Sequence, residues 1–278
     1  YAFYLRKTKA SPNDILHRLA KDAVAVVTDD YPAFIAVEHN ARVPAKVDAA
    51  FHAVDASCIV PMNLMEKREW AAYTIRPKIH RALPTWLKPL EPVAVQKKWK
   101  GARPDFHVDV TSANIADLVA ACEIDHSVRP SVSFRGGSRA AAKMLDHFLA
   151  KNLRRYATGR NSPSEHATSN LSSYLHFGHI SALEIALKAK EYAAANGLVA
   201  DEFLEELIVR RELAFNFARY TGAQAKTVDV VPEWALKSCG TPARKRCCCA
   251  ASSTATIECT GARRSSSGLP RWKMRCRR

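Results

Sequence analysis

The chain has 278 residues, 47% of them hydrophobic, with a formal net charge of +15 and eight cysteines. That length accommodates two modest domains with their own cores. No run approaches the eighteen or so consecutive apolar residues that a membrane-spanning helix requires. The charge is unevenly placed: residues 238–278 hold ten Lys or Arg against one acid, Glu258, so this stretch carries +9 and leaves +6 to the first 237 residues. A body that is only moderately basic is weak ground for nucleic-acid binding taken alone. Six of the cysteines (Cys239, Cys247, Cys248, Cys249, Cys259 and Cys276) share that stretch. Cys58 and Cys122 remain in a body that reads as reduced, not disulfide-stapled.

Along the chain, Tyr1–Arg6 reads as a start inside an element, with further sequence expected upstream. Ser11-Pro12-Asn13-Asp14 opens a helix through Ile15, Leu16 and Leu19. The β-branched run Ala23–Thr28, ending in Asp29-Asp30, predicts a buried parallel strand and its C-terminal loop. A second strand is predicted near Ala50–Val54, then helical segments from about Lys67 to Leu83 with a break or kink at Pro77. Residues 1–87 thus read as a partial α/β layer with a parallel sheet. Prolines and lysines over 88–111 mark a linker. Its Lys97, Lys98, Trp99 and Lys100 are better explained by solvation, with one docked tryptophan, than by nucleic-acid contact.

Residues 112–237 read as all-helical. Gly136-Gly137-Ser138 leads into a helix with Ala141, Leu145, Phe148, Leu149 and Leu153 at helical spacing. Ser181-Ala182-Leu183-Glu184 has the form of a capping box, and Asn196-Gly197 of a left-handed stop. Asp201 is placed as the cap of a helix carrying Leu204, Ile208, Arg211 and Phe215 on one stripe. In 238–278 the only large apolar residues are Ile257, Leu269, Trp272 and Met274, too few to offset ordering entropy. That stretch reads as a disordered basic tail or as out-of-frame translation. Its cysteine triplet lacks zinc-ligand spacing, and no metal site is assigned.

Two stretches carry candidate chemistry: Ala167-Thr168-Ser169-Asn170-Leu171-Ser172 with Tyr174-Leu175-His176-Phe177-Gly178, and Glu205–Leu213. Amides and hydroxyls at the first suit phosphate groups. The same pattern also makes a plain Ser/Thr turn. In the second, Glu206 and Arg210 have the spacing of a solvated i,i+4 pair, yet apolar residues on both sides favour a partly buried cluster. His176 and His179 have no neighbouring ligands in sequence and default to core or cap roles. No P-loop, dinucleotide glycine fingerprint or nucleophile elbow occurs.

Together these stretches resemble the flavin- and DNA-binding region of class II cyclobutane pyrimidine dimer photolyases. Further similar phrases are Val27-Thr28-Asp29, Ala53–Ala56 with Ile59-Val60-Pro61, Ala71–His80 and Leu153–Tyr156. The resemblance runs from about residue 20 to residue 237 and is most specific over 152–220. It implies a partial α/β antenna domain followed by a partial all-α FAD-binding domain, truncated at both ends. It also implies a carbon–carbon lyase that flips the dimer out of DNA and splits it with light and reduced FAD, the antenna pigment being left open. Tyr156, Thr168, Ser169, Asn170, Leu171, Ser172, Phe203 and Arg210 would bind the cofactor. Glu206 would orient the lesion as the catalytic residue, and Glu206, Arg210 and Arg211 would meet DNA. The expected protein is a monomer, without membrane contact, cytoplasmic or (in a eukaryote) nuclear. The alternatives are a non-catalytic basic nucleic-acid-binding fragment and a cryptochrome-like flavoprotein.

Overall fold

The computed structural model describes residues 1–97 and 100–222, together with the backbone of four short strands between 257 and 276. Helix α1 (Ile15–Ala20) is followed by β1 (Ala25–Asp29), α2 (Phe34–Arg42) and β2 (Ala50–Val54). The strands pair in parallel, from Ala25 beside Ala50 to Asp29 beside Val54, with α2 in the crossover that parallel strands need. The expectation that β1 is buried is corrected: Val24 and Val27 are 93% and 68% exposed. Among the described residues this sheet has two strands, and alternate positions of β1 face water.

Helix α3 (Ala72–Trp86) begins later than the expected Lys67 and runs unbroken through Pro77 and Pro84. The two prolines lie seven residues apart on one face. The carbonyls whose N–H partners they remove belong to Tyr73 and His80, both exposed, where a lost hydrogen bond is least costly. Ile75 and Ile79 are fully buried. The described chain that follows, to residue 97 and over 100–111, is irregular, with Leu90, Val93 and Val95 mostly exposed. Lys98 and Trp99 lie outside the described residues.

Next come α4 (Ile115–Ala120), α5 (Ser138–Lys151), α6 (Leu153–Gly159), α7 (Ser172–His176) and α8 (Ala182–Ala195). A helix over 201–221 combines α9 (Asp201–Leu204), a π-helical turn (Glu205–Arg210) and α10 (Arg211–Thr221). Ala141, Leu145, Phe148 and Leu149 are buried along α5, as their spacing predicts. Ile59, Val60, Met62, Met65, Ile75 and Ile79 join them in one hydrophobic cluster with α8 and the 201–221 helix.

The cap chemistry is half as expected. Ser181 Oγ accepts from the Glu184 amide at 3.0 Å, but the Glu184 carboxylate pairs with Lys188 Nζ at 2.8 Å instead of reaching back. Ser181→Ala should therefore lower stability by about 1 kcal/mol, read as a lower urea midpoint, with Ser181→Asp retaining the wild-type value. α8 stops as predicted: Gly197 has φ 60° and the Leu198 amide returns to the Ala193 carbonyl. Asp201 is the first helical residue, not the cap, which is Ala200; its charge still suits the helix N-terminus. In the tail, Ile257–Cys259 pairs antiparallel with Met274–Cys276, and Arg263–Arg264 with Pro270–Arg271. The cysteine triplet and the rest of 223–278 lie outside the described residues, as does the reading made of them.

Candidate functional site

The 201–221 helix carries the charges singled out in the sequence; of its expected stripe Ile208 is buried, Leu204, Arg211 and Phe215 are half-buried, and the fully buried positions shift to a neighbouring line. Phe203, Leu207, Val209, Glu212 and Asn216 are buried beside Ile208. Steps of four, from 203 to 207 and from 212 to 216, are separated by a step of five, the repeat of a π turn. The extra residue re-aims the charges. Arg210 Nε lies 3.5 Å from Glu205 Oε1, five positions away, and the Glu206–Arg210 pair is not made.

Glu205 is also gripped by Arg76 of α3 through hydrogen bonds of 2.6 and 3.1 Å. Those bonds hold its carboxyl below the ordinary range, against the effect of burial. Among the described residues, Glu206 has one ionic contact, Arg160 Nη2 at 3.7 Å. Arg160 is itself occupied: it bonds Glu202 at 2.6 Å and stands 5.6 Å over the Tyr156 ring. Of the two adjacent glutamates, Glu206 is the one with spare acceptor capacity.

Tyr156 and Phe203 do come together. Their rings lie 5.4 Å apart, and each meets Phe148, at 5.7 and 4.6 Å. Burial, and then the charge of Glu206, pushes the Tyr156 hydroxyl pKa up.

The Thr168–Ser172 run does not face one site. Thr168, Ser169 and Asn170 line a cavity of about 540 Å³ with Lys143, His147 and Phe148 of α5. Leu171 buries its side chain in the core. Ser172 instead faces a second cavity of about 680 Å³, with Asp29, Tyr31, Ser57, Phe177 and Arg211. The division follows from Asn170, which is left-handed at φ 55° and turns the chain before Leu171 anchors it. The Leu171 amide donates to Ser169 Oγ at 3.4 Å, so a long Ser/Thr turn is present. The amides of Thr168, Ser169 and Asn170 have no protein acceptor among the described residues. His179 takes the cap role, its Nδ1 accepting from the Gly137 amide at 3.2 Å ahead of α5.

Sequence reasoning missed a polar clasp between α10 and the 55–69 segment. Glu212 is fully buried; Oε1 accepts from the amides of Ile59 at 2.7 Å and Val60 at 3.1 Å, while Oε2 has no partner among the described residues. Burial outweighs those two amides and pushes its carboxyl pKa up to about 7. Asn216, also fully buried, accepts from the Glu69 amide at 2.7 Å and donates to the Lys67 carbonyl at 3.1 Å. Arg211 donates to the Ser57 carbonyl at 2.7 Å and stacks 4.6 Å from the Phe215 ring. Asp55 ties the same loop, accepting from the amides of Ser57, Cys58 and Met62 at 2.9–3.1 Å. Burial, and next the Asp55 charge, pushes the Cys58 thiol up, which disfavours its thiolate. The signal for the clasp was present: polar residues at 212 and 216 sit four apart within an otherwise apolar pattern, and hydrophobic counting passes over them.

This helical arrangement beside a small parallel sheet has a solved counterpart. A bacterial class III photolyase from Agrobacterium tumefaciens superposes with a TM-score of 0.51 at 18% identity, covering 81% of this chain and 49% of that one. The fold is photolyase-like. Among curated proteins, the chain is 34% identical over 229 residues to the deoxyribodipyrimidine photo-lyase of Methanothermobacter thermautotrophicus, covering 82% of this chain and 48% of that protein. It is 39% identical over 199 residues to the enzyme of the same name from Arabidopsis thaliana, covering 68% and 38%. For that of Oryza sativa the figures are 36% over 196 residues, covering 68% and 37%. By sequence the chain is similar to these photo-lyases, and it spans about half or less of their length. No family model matches it. Among the described residues no helix is long and apolar enough to cross a membrane.

Proposed function

We propose that these residues belong to a class II photolyase, a monomer of the cytoplasm or nucleus that splits cyclobutane pyrimidine dimers in DNA using light and reduced FAD. The observation that carries this is the 34–39% identity to proteins named deoxyribodipyrimidine photo-lyase over 68–82% of the chain. Since the chain spans about half of those relatives, the activity is assigned to the protein in which these residues work.

The donor set fits the cofactor's phosphate end: hydroxyls of Thr168 and Ser169, unpaired loop amides and Lys143 surround one cavity. Bound reduced FAD would supply the light-driven electron. The chain's own residues bind and orient. Tyr156 and Phe203 offer aromatic surface, with Arg160 holding Glu202 and Glu206 beside them. Glu206, whose neighbour Glu205 is already saturated, accepts hydrogen bonds from the base edge of a flipped dimer. Arg210 and Arg211 face phosphates.

The test is repair of a dimer-containing oligonucleotide under near-UV or blue light, with a dark control. Light-dependent loss of dimers is expected, reduced at least about tenfold in Glu206→Gln, the scale for removing one preorganised polar contact. A protein that binds no flavin and repairs nothing in the light would refute the assignment.

A further inference from the structure

We propose that Arg76 of α3 is a positioning residue: through Glu205 it withholds Arg210 from Glu206 and so keeps the Glu206 carboxylate free for a ligand. That the ligand is a flipped dimer rests on the reading above; the partner choice of Arg210 does not. Arg76 Nη2 and Nε donate to the two Glu205 oxygens at 2.6 and 3.1 Å, a two-point grip across 129 positions of chain. Glu205 in turn holds Arg210 Nε at 3.5 Å. Both cations meet the same oxygen, Oε1, so Arg76, Glu205 and Arg210 form one relay.

Arg210 has a competing partner in the next residue. In a regular α-helix, side chains four apart are neighbours and those five apart are not, and an acid placed N-terminal to a base is the favoured order. Glu206 and Arg210 satisfy that rule, whereas Glu205 and Arg210 do not. The pairing observed needs the π turn Glu205–Arg210, whose wider repeat brings residues five apart together. Arg76 ties the first residue of that turn to α3. Its bonds are also the main reason the Glu205 carboxyl stays below its ordinary range. Without Arg76 the turn loses this tie, the helix returns to the four-residue repeat, and Arg210 neutralises Glu206. Arg160 does not neutralise Glu206 in the same way. It stands 3.7 Å from Glu206 and is already bonded to Glu202 at 2.6 Å.

Two readouts on the full chain test the relay, with circular dichroism melts confirming that each variant folds. The first is the preference for an oligonucleotide carrying one cyclobutane dimer over the same sequence undamaged, which cancels phosphate contacts common to both. Arg76→Gln and Glu205→Gln should each lower that preference about tenfold, the size of one charge-assisted hydrogen bond. Adding Arg210→Gln to Arg76→Gln should restore most of it, because the competing cation is gone. Arg76→Lys should fall between, since an ammonium cannot make the two-point grip. The second readout is the Arg210 Nε–H resonance, assigned by its loss in Arg210→Gln. In the wild-type background Glu205→Gln should move it and Glu206→Gln should not; in the Arg76→Gln background the two should exchange roles. A resonance that follows Glu205 in both backgrounds overturns the relay. So does a dimer preference that survives Arg76→Gln, or one that removal of Arg210 does not restore. A wild type with no preference for the dimer would remove the lesion reading, and the resonance alone would then decide: exchanged roles support the relay, unchanged roles overturn it.

Discussion

Glu212→Gln is expected to stabilise the protein above neutral pH and to leave it nearly unchanged at pH 5. In the folded chain the Glu212 carboxyl keeps its proton until about pH 7, whereas its ordinary value is 4.5. Between those values the folded state binds more protons than the unfolded one, so Glu212 makes stability fall as pH rises, with no further loss above 7. At about 1.4 kcal/mol per pKa unit the full decline is on the order of 3 kcal/mol. Glutamine keeps an oxygen for the Ile59 and Val60 amides and cannot ionise.

Glu69 and Glu205 act in the opposite direction. Lys78 and Arg76 hold their carboxyls low, so their contribution is present above the ordinary carboxylate range and lost on acidification. The informative quantity is therefore the difference between wild type and Glu212→Gln, measured by urea unfolding at half-unit steps from pH 5 to 8.5. Parallel stability curves would show that Glu212 is ionised in the folded protein at all these values. Glu212→Ala, which strands two buried amides, should destabilise at every pH.

Phe148→Ala should cost about 3–5 kcal/mol, the range for removing a buried aromatic ring from a core that collapses only partly. Phe148 is 1% exposed and is the largest fully buried side chain among the described residues. Its ring is shared by Tyr156, Phe203 and the cavity beside Thr168. Removal therefore withdraws edge contacts from two candidate flavin contacts at once and opens a wall of the cavity beside Thr168. Phe148→Leu should lose much less, because most of the volume returns. Urea midpoints with an unchanged denaturant slope would check this. A loss under about 1 kcal/mol for the alanine variant would mean that the three rings are not packed together in solution.

How far the sequence could be read depended on the range of the interaction. Within about four residues the Ser181 cap, the Gly197 stop and the buried face of α5 were legible from neighbours on the chain, whereas the Glu184 half of the capping box and the Asp201 cap were not. Where a partner lies far away the same residues were ambiguous. Glu205 and Glu206 are adjacent and alike, and only Arg76, 129 positions distant, decides that Glu205 is saturated. Pro77 read as a break or kink, yet the rest of α3 packs so that it and Pro84 both face water.

The sequence alone therefore determined the kind of molecule this is: an α/β segment followed by helices, carrying two stretches whose likeness to photolyases extends to relatives over most of the chain. Local hydrogen bonding and side-chain periodicity suffice for that, because they are written in consecutive residues. Tertiary structure decided which groups share a site. It inserted the π turn that sends Arg210 to Glu205, divided Thr168–Ser172 between two cavities, and buried Glu212 against the Ile59 amide 153 residues away. Those outcomes depend on desolvation and on partners brought together by packing, which no local pattern encodes.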